Sequence, residues 1–349
     1  MTLMTPMTES APGVRYVVVG AGAIGGTVGG LLAQAGSSVV LVARGAHGEA
    51  IAACGLTLSL PGRTLRVGMP VVPSIDRLEL RAGDVILLAV KSQDSAHALG
   101  EVAALPVGGS TAADAVPLFC LQNGVENEQV ALRFFARVHG VNVALPATLL
   151  APGSVEANGA PFTGILEVGG FPRGHDDVDT RFVVDLNASG FTAAVRDDVM
   201  AWKRLKLLQN LAHAVEAICG TDLDDIQRDI VTRIATAARS EGLACFAAAG
   251  LSLVDDGERD AWVAGKMRVE PIDGRPRQGS STWQSIARGA ASVETDYFNG
   301  EIVRLGRLNG VATPINRELQ RRMAAIASRR LQPGATAPSE IVSAAETSH

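Results

Sequence analysis

The stretch "VVVGAGAIGG", residues 17–26, places Gly20, Gly22 and Gly25 in a G-x-G-x-x-G spacing just after the apolar run 14–19. In that spacing the first glycine permits a tight turn and the second lets the backbone approach a pyrophosphate. The third lets a following helix pack closely on the strand, and that helix presents free N–H groups and a positive dipole end to the anion. Gly20, Ala21, Gly22, Ala23, Ile24 and Gly25 are therefore the expected contacts of a dinucleotide. A carboxylate at the end of the next strand would bond the ribose 2′-hydroxyl of NAD. This chain reads "VLVARG" there, and the guanidinium of Arg44 suits a 2′-phosphate instead, so NADP(H) is the expected cofactor.

Three further groups of residues could carry chemistry. Lys91 follows the apolar run 84–90, and Asn123 follows the run 117–121. Both would lie at carboxyl ends of strands, where open α/β sheets bind their ligands. In "AWKRLKLLQNLAHAVEAI", residues 201–218, Lys203, Lys206, Asn210, His213 and Ala217 share one narrow stripe at about 100° per residue. Leu207, Leu208, Leu211, Ala214, Val215 and Ile218 form an apolar face beside it. Lysine, amide and imidazole along the border of a core face suit a cleft wall, although an ordinary amphipathic helix gives the same pattern. The polar stretch "RQGSSTWQSIARG", 277–289, reads as a loop entering a helix. The segment 292–310 reads as a helix with Glu294 in its first turn, and Gly300 inside it suggests close approach by another backbone or a ligand.

These residues need a scaffold, and the chain supplies one. The runs 14–19, 23–35 and 39–42 make a βαβ unit, and the apolar segments within 84–90, 117–121, 141–145, 164–168 and 191–195 add strands buried on both faces. From residue 197 the periodicity becomes helical. The fold class is α/β: an N-terminal Rossmann dinucleotide-binding domain followed by an all-helical domain. The expected boundaries are a flexible leader at 1–13, the NADP-binding domain at 14–196, the helical substrate and dimerisation domain at 197–330, and a disordered tail at 331–349. With 349 residues, 47% of them hydrophobic, there is ample material for two cores.

Composition excludes other classes. Net charge is −5 and no block of like charge stands out, which argues against nucleic acid or an acidic membrane as partner. No apolar run reaches the roughly 18–20 residues needed to span a membrane, and the first dozen residues lack the features of a signal peptide. Cys54, Cys120, Cys219 and Cys245 are far apart and fit neither zinc nor a disulfide framework, so a metal is not expected. Isolated cysteines in apolar stretches fit reduced core residues of a cytoplasmic protein.

Taken together, "GAGAIGG" with Arg44, "AVKSQD" around Lys91, "LQNGVENE" around Asn123, "WKRLKLLQN" and "ETDYFNGEIVRLGRLNGVATPIN" from Glu294 resemble the ketopantoate reductase (2-dehydropantoate 2-reductase) family. The resemblance spans about residues 14–326. It implies an NADPH-dependent reduction of 2-dehydropantoate to pantoate in pantothenate biosynthesis, with hydride passing to the ketone carbon of a 2-oxo acid. By motif match the family's catalytic lysine is Lys206, with Asn210 four residues on. Its cofactor-side lysine and asparagine are Lys91 and Asn123, its acidic residue is Glu294, and its substrate-binding serine is Ser281, with Ser280 the neighbouring alternative. A ketone being reduced builds negative charge on oxygen, and a cation or acid within hydrogen-bond reach stabilises it.

The chain departs from the family at the substrate side. Where many relatives have a second asparagine, residues 212–214 read "AHA"; His213 either replaces it at the substrate or is an ordinary helix histidine. A strict count from Trp202 puts the lysine position at Arg204, and Lys203 is a weaker candidate. The stretch 284–294 is a residue longer. These changes keep open a related oxidoreductase acting on another 2-oxo acid or an opine-type substrate, and the resemblance leaves a homodimer open.

Overall fold

A computed structural model of the chain describes residues 13–290 and 293–346; nearly all of the expected leader lies outside them. The N-terminal half is built on eight strands: β1 (Arg15–Val19), β2 (Ser38–Val42), β3 (Val71–Val72), β4 (Asp84–Leu88), β5 (Leu118–Cys120), β6 (Val138–Ala144), β7 (Ile165–Gly170) and β8 (Thr192–Val195). Their spatial order is β8-β7-β6-β5-β4-β1-β2-β3. From β3 to β6 every pairing is parallel, in the 3-2-1-4-5-6 order of a Rossmann sheet. Only β6 and β7 run antiparallel.

The sequence of these strands explains why the sheet is buried. In β1, Tyr16 and Val18 belong to one apolar cluster while Val17 and Val19 belong to another. Val39 and Leu41 of β2 divide from Val40 and Val42 in the same way, as do Val85 and Leu87 of β4 from Ile86 and Leu88. Side chains alternate across a strand, so a run that is apolar at every position must be covered on both sides. Helix α1 (Ala23–Gln34) covers one side. Two hairpin strands, Leu56–Leu60 and Arg63–Val67, form a second, four-stranded sheet with Ala147–Ala151 and Ser154–Ala157; the latter two do not extend the main sheet.

The second half is helical apart from the short strand Met267–Val269, which pairs with Gly159–Pro161. Its core is formed largely by α2 (Val199–Asn210), α3 (Ala212–Cys219), α4 (Asp225–Ala248), α5 (Ser281–Ala287), α6 (Asn299–Asn309), α7 (Pro314–Arg329) and α8 (Pro338–Glu346). The apolar face expected for residues 201–218 is the one buried here, with Leu207, Leu208, Leu211, Ala214, Val215 and Ile218 all in this core.

Three expectations need correction. The segment 201–218 is not one continuous helix: it is interrupted at Leu211, whose carbonyl accepts a hydrogen bond from Asn299 Nδ2 at 3.4 Å. The helix expected over 292–310 begins only at Asn299. Glu294 stands on a separate 3₁₀ turn, Glu294–Tyr297, divided from α6 by the non-helical, buried Phe298. The tail is ordered as far as residue 346, because Ile341 and Ala345 bury themselves and Ile341 joins the helical core. The N–H groups of Gly334 and Thr336 also donate to Ala217 and Ile218, each at 3.2 Å. Of the cysteines, Cys120, Cys219 and Cys245 are buried, but Cys54 is exposed at the end of a surface helix.

Candidate active site

The turn after β1 is shaped by its glycines. Gly20 has φ +101°, and a Cβ there would sit 2.8 Å from the backbone N of Val90. A Cβ on Gly25 would fall 2.0 Å from the Gly20 carbonyl, so α1 approaches β1 as closely as only glycine allows. A Cβ on Gly22 would meet nothing within 4 Å. That open face at the start of α1, with no acidic residue in the helix's first turn, fits a pyrophosphate. Ala21 is buried, and its carbonyl accepts a hydrogen bond from His47 Nε2 at 2.7 Å, while His47 Nδ1 accepts from Gly153 N–H at 2.9 Å. This histidine, which sequence reasoning passed over, ties the turn to the second sheet.

From that turn a cavity of about 510 Å³ runs between the two halves. Gly22, Ala23 and Ile24 line one end; Lys91 after β4, Asn123 after β5 and the loop after β6 line the middle. Lys206, Asn210 and His213 form the facing wall, with Ser280, Ser281 and Glu294 beside them. Gly20, Ala21, Gly25 and Arg44 do not line it. Arg44 lies exposed just beyond β2, at the start of the helix Gly45–Cys54, and its side chain has no partner among the described residues.

The lysine stripe divides in two. Lys203 is buried and turned inward, donating to the Gln122 carbonyl at 3.0 Å and pairing with the buried Glu128. Lys206 reaches the cavity, where its Nζ donates to Asn123 Oδ1 at 2.7 Å and to the Val143 carbonyl. Burial and the nearby Lys203 push its pKa down to about 7, against the opposing pull of Glu167 and Glu294. Arg204 points elsewhere, donating to the Ser252 carbonyl at 2.7 Å. Burial likewise lowers His213 to about 4, so its imidazole is neutral at pH 7.

Glu294 crosses between the halves. Its carboxylate pairs with Lys91 Nζ at 2.7 Å and accepts from Ser92 N–H and Oγ–H at 3.3 and 3.1 Å. Ser92 in turn accepts from Asn127 Nδ2 at 3.1 Å, and Asn127 Oδ1 accepts from Ser95 Oγ at 2.8 Å. This buried network fixes the loops after β4 and β5 that present Lys91 and Asn123. The sequence offered its members within "KSQDS" and "QNGVENE", but only the fold shows that they meet. The two serines also separate. Ser280 Oγ caps α5 by accepting from Trp283 N–H at 3.3 Å, whereas Ser281 faces the cavity without that duty. A Cβ added to Gly300 would lie 2.7 Å from the side chain of Gln320, so a side chain makes the close approach there.

A second titratable cluster, His139 with Asp176 and Asp179, lies outside the cavity. Asp176 and Asp179 form a helix capping box there, and Asp179 holds His139 Nδ1 at 2.9 Å.

A Rossmann sheet with an open glycine turn, a helical domain across it, and a lysine of depressed pKa in the cleft together define a nicotinamide dinucleotide-dependent oxidoreductase. Family models for ketopantoate reductase PanE/ApbA match residues 16–172, and the corresponding C-terminal models match residues 198–327. The chain belongs to the ketopantoate reductase family. It is 29% identical over 309 residues to a 2-dehydropantoate 2-reductase of Pyrococcus horikoshii, covering 87% of this chain and 94% of that one. A PanE/ApbA family ketopantoate reductase from Ralstonia eutropha superposes with TM-score 0.74 at 27% identity, over 90% of this chain and 99% of the other. D-mandelate dehydrogenase, solved with NADH and anilino(oxo)acetate, shares the fold with TM-score 0.75 at 22% identity, over 90% and 99%.

Proposed function

We propose that this chain reduces 2-dehydropantoate to pantoate with NADPH. The observation that carries the reading is the position of Lys206: its ammonium lies in the same cavity as the open face of Gly22, held by Asn123 and the Val143 carbonyl. When bound, the dinucleotide supplies the hydride. The protein supplies the rest. Lys206 Nζ holds a proton against the ketone oxygen, and with a pKa of about 7 it can both carry that proton at neutral pH and give it up. Asn123 orients the lysine. Glu294 pairs with Lys91 across the domain boundary and accepts from Ser92, holding its carboxylate at the cavity wall. Ser281, Asn210 and the neutral His213 offer hydrogen bonds to substrate oxygens. Arg44, exposed just past β2, is the residue that would meet a 2′-phosphate, favouring NADPH over NADH. The reading places the enzyme in the cytoplasm as a soluble catalyst; no helix among the described residues is long and apolar enough to cross a membrane.

The test is the loss of reduced-nicotinamide absorbance with 2-dehydropantoate beside pyruvate and 2-oxoisovalerate, with NADPH and NADH in parallel. A kcat/KM for 2-dehydropantoate and NADPH well above the rest is the expected result. His213 at the cavity wall, and the fold shared with a dehydrogenase solved with anilino(oxo)acetate, support a second reading with another 2-oxo acid as acceptor. Turnover of pyruvate or 2-oxoisovalerate without 2-dehydropantoate would select it.

A further inference from the structure

Two arginines line the cavity and are not used in the mechanism above: Arg277, just before α5, and Arg288, just after it. The chain has more acidic than basic residues, 36 against 31, and among the described residues fifteen arginines form ion pairs with a carboxylate. Arg277 and Arg288 form none among the described residues. Arg277 Nη1 donates to the Gly279 carbonyl at 2.6 Å, which pins the guanidinium against the turn into α5. Its Nε–H is buried and has no partner. Glu216 is the acid nearest in charge to Arg277, but its carboxylate is committed to the Ser280 N–H at 2.8 Å. Arg288 is exposed at the cavity edge, and partial desolvation lowers its pKa with no acid opposing it.

For Arg277, whose Nε–H is buried without a partner, a guanidinium lacking a carboxylate is costly unless an anion completes it, and Arg288 adds a second, exposed guanidinium to the same cavity. The balance inside the cavity points the same way. Among the described residues Glu294 is its only acidic lining residue, and Lys91 neutralises it; Lys206, Arg277 and Arg288 remain, with His213 neutral. A 2-oxo acid brings the missing charge in its own carboxylate, and guanidinium forks match carboxylate geometry.

We propose that Arg277 and Arg288 are the receptor for the carboxylate of the acceptor, so that the enzyme takes 2-oxo acids and refuses the corresponding neutral ketones. This rests on the reductase reading above. The pair would set which end of the acceptor lies against α5, leaving the ketone oxygen to Lys206. Ser281, on the helix between them, adds a donor.

The experiment compares a 2-oxo acid with its methyl ester, using wild type, Arg277→Met, Arg288→Met and Arg277→Lys, and measures the KM for NADPH alongside. Wild type should prefer the acid by about a hundredfold in kcat/KM, in line with charge-assisted bonds. Each Met variant should lose at least about tenfold on the acid with little change on the ester or in the KM for NADPH, and Arg277→Lys should fall between. An acid-to-ester ratio equal in all four proteins overturns the proposal while leaving the reductase reading standing. Binding of oxamate, an unreactive isostere of a 2-oxo acid, is followed in parallel on the NADP⁺-loaded protein. Oxamate bound by wild type and lost in both Met variants, without turnover of any acceptor, upholds the receptor and refutes the reductase reading. Equal oxamate binding in all variants refutes the receptor.

Discussion

Replacing Lys206 by methionine should remove activity and at the same time make the protein more stable. The site holds this lysine at a pKa of about 7, against an ordinary value of 10.5, chiefly by withdrawing it from water. A displacement of that size corresponds to about 5 kcal/mol of unfavourable free energy in the folded ammonium at pH 7 or below, at about 1.4 kcal/mol per pKa unit. The sign follows from linkage. Between the folded and unfolded pKa values the unfolded chain binds more protons, so wild-type stability rises with pH from about 7 to 10.5. Methionine keeps the stem and removes the charge. It also leaves Asn123 Oδ1 and the Val143 carbonyl without their donor, which costs about 1–3 kcal/mol, and cavity water makes 5 kcal/mol a ceiling. The expected net gain is therefore about 2 kcal/mol near pH 6.5, and it reverses to a net loss of about 1–2 kcal/mol by pH 10, where the wild-type lysine is neutral but the lost hydrogen bonds still count. Urea unfolding of the cofactor-free protein across that range reads it directly, and kcat at saturating NADPH should fall by about 10²–10⁴, the ordinary worth of a general acid. A variant less stable than wild type at every pH, or one that keeps its kcat, would refute the reasoning.

Other substitutions probe the remaining parts. Arg44→Ala should raise the KM for NADPH by at least about tenfold and leave NADH almost unchanged, since only the former carries a 2′-phosphate; equal effects on both cofactors would remove Arg44 from that role. Glu128→Ala leaves Lys203 buried with only the Gln122 carbonyl, and should destabilise by about 3–5 kcal/mol in chemical denaturation. Ending the chain after Arg330 uncovers the core that Ile341 and Ala345 close, and should lower stability by about 2–4 kcal/mol without changing the KM for NADPH; an unchanged melting temperature would show that α8 is dispensable.

What could be read from the sequence was what local pattern dictates. A glycine spacing after an all-apolar run encodes its own turn and its own burial, so the Rossmann half was legible down to the order of its first elements. The lysine stripe was legible as a stripe, because helical geometry is fixed. Its partners were not: Lys203 and Lys206 sit three residues apart and look alike, yet one pairs with Glu128 inside the protein and the other opens on the cavity. That distinction depends on which element packs beneath each, a contact more than sixty residues away in the chain. The tail misled for the converse reason. Its composition of Pro, Ala, Ser and Glu resembles a disordered segment, yet the buried Pro338, Ile341 and Ala345 and the backbone bonds of Gly334 and Thr336 anchor it.

The ion pair between Lys91 and Glu294 joins these levels. Neither residue needs the other for its local element: Lys91 ends a strand of the sheet, and Glu294 opens a 3₁₀ turn of the helical half. They meet only when the two halves close on each other. Lys91 is 45% exposed and Glu294 is 8% exposed, so the carboxylate carries most of the burden if the pair is broken. Ser92 then remains as its donor, through both N–H and Oγ–H. A carboxylate satisfied from one side by the sheet domain and tethered by a solvent-facing lysine can lose the lysine at modest cost while keeping its place. Ser92 therefore anchors the carboxylate, and Lys91, at the cavity edge, is the more exposed member of the ion pair.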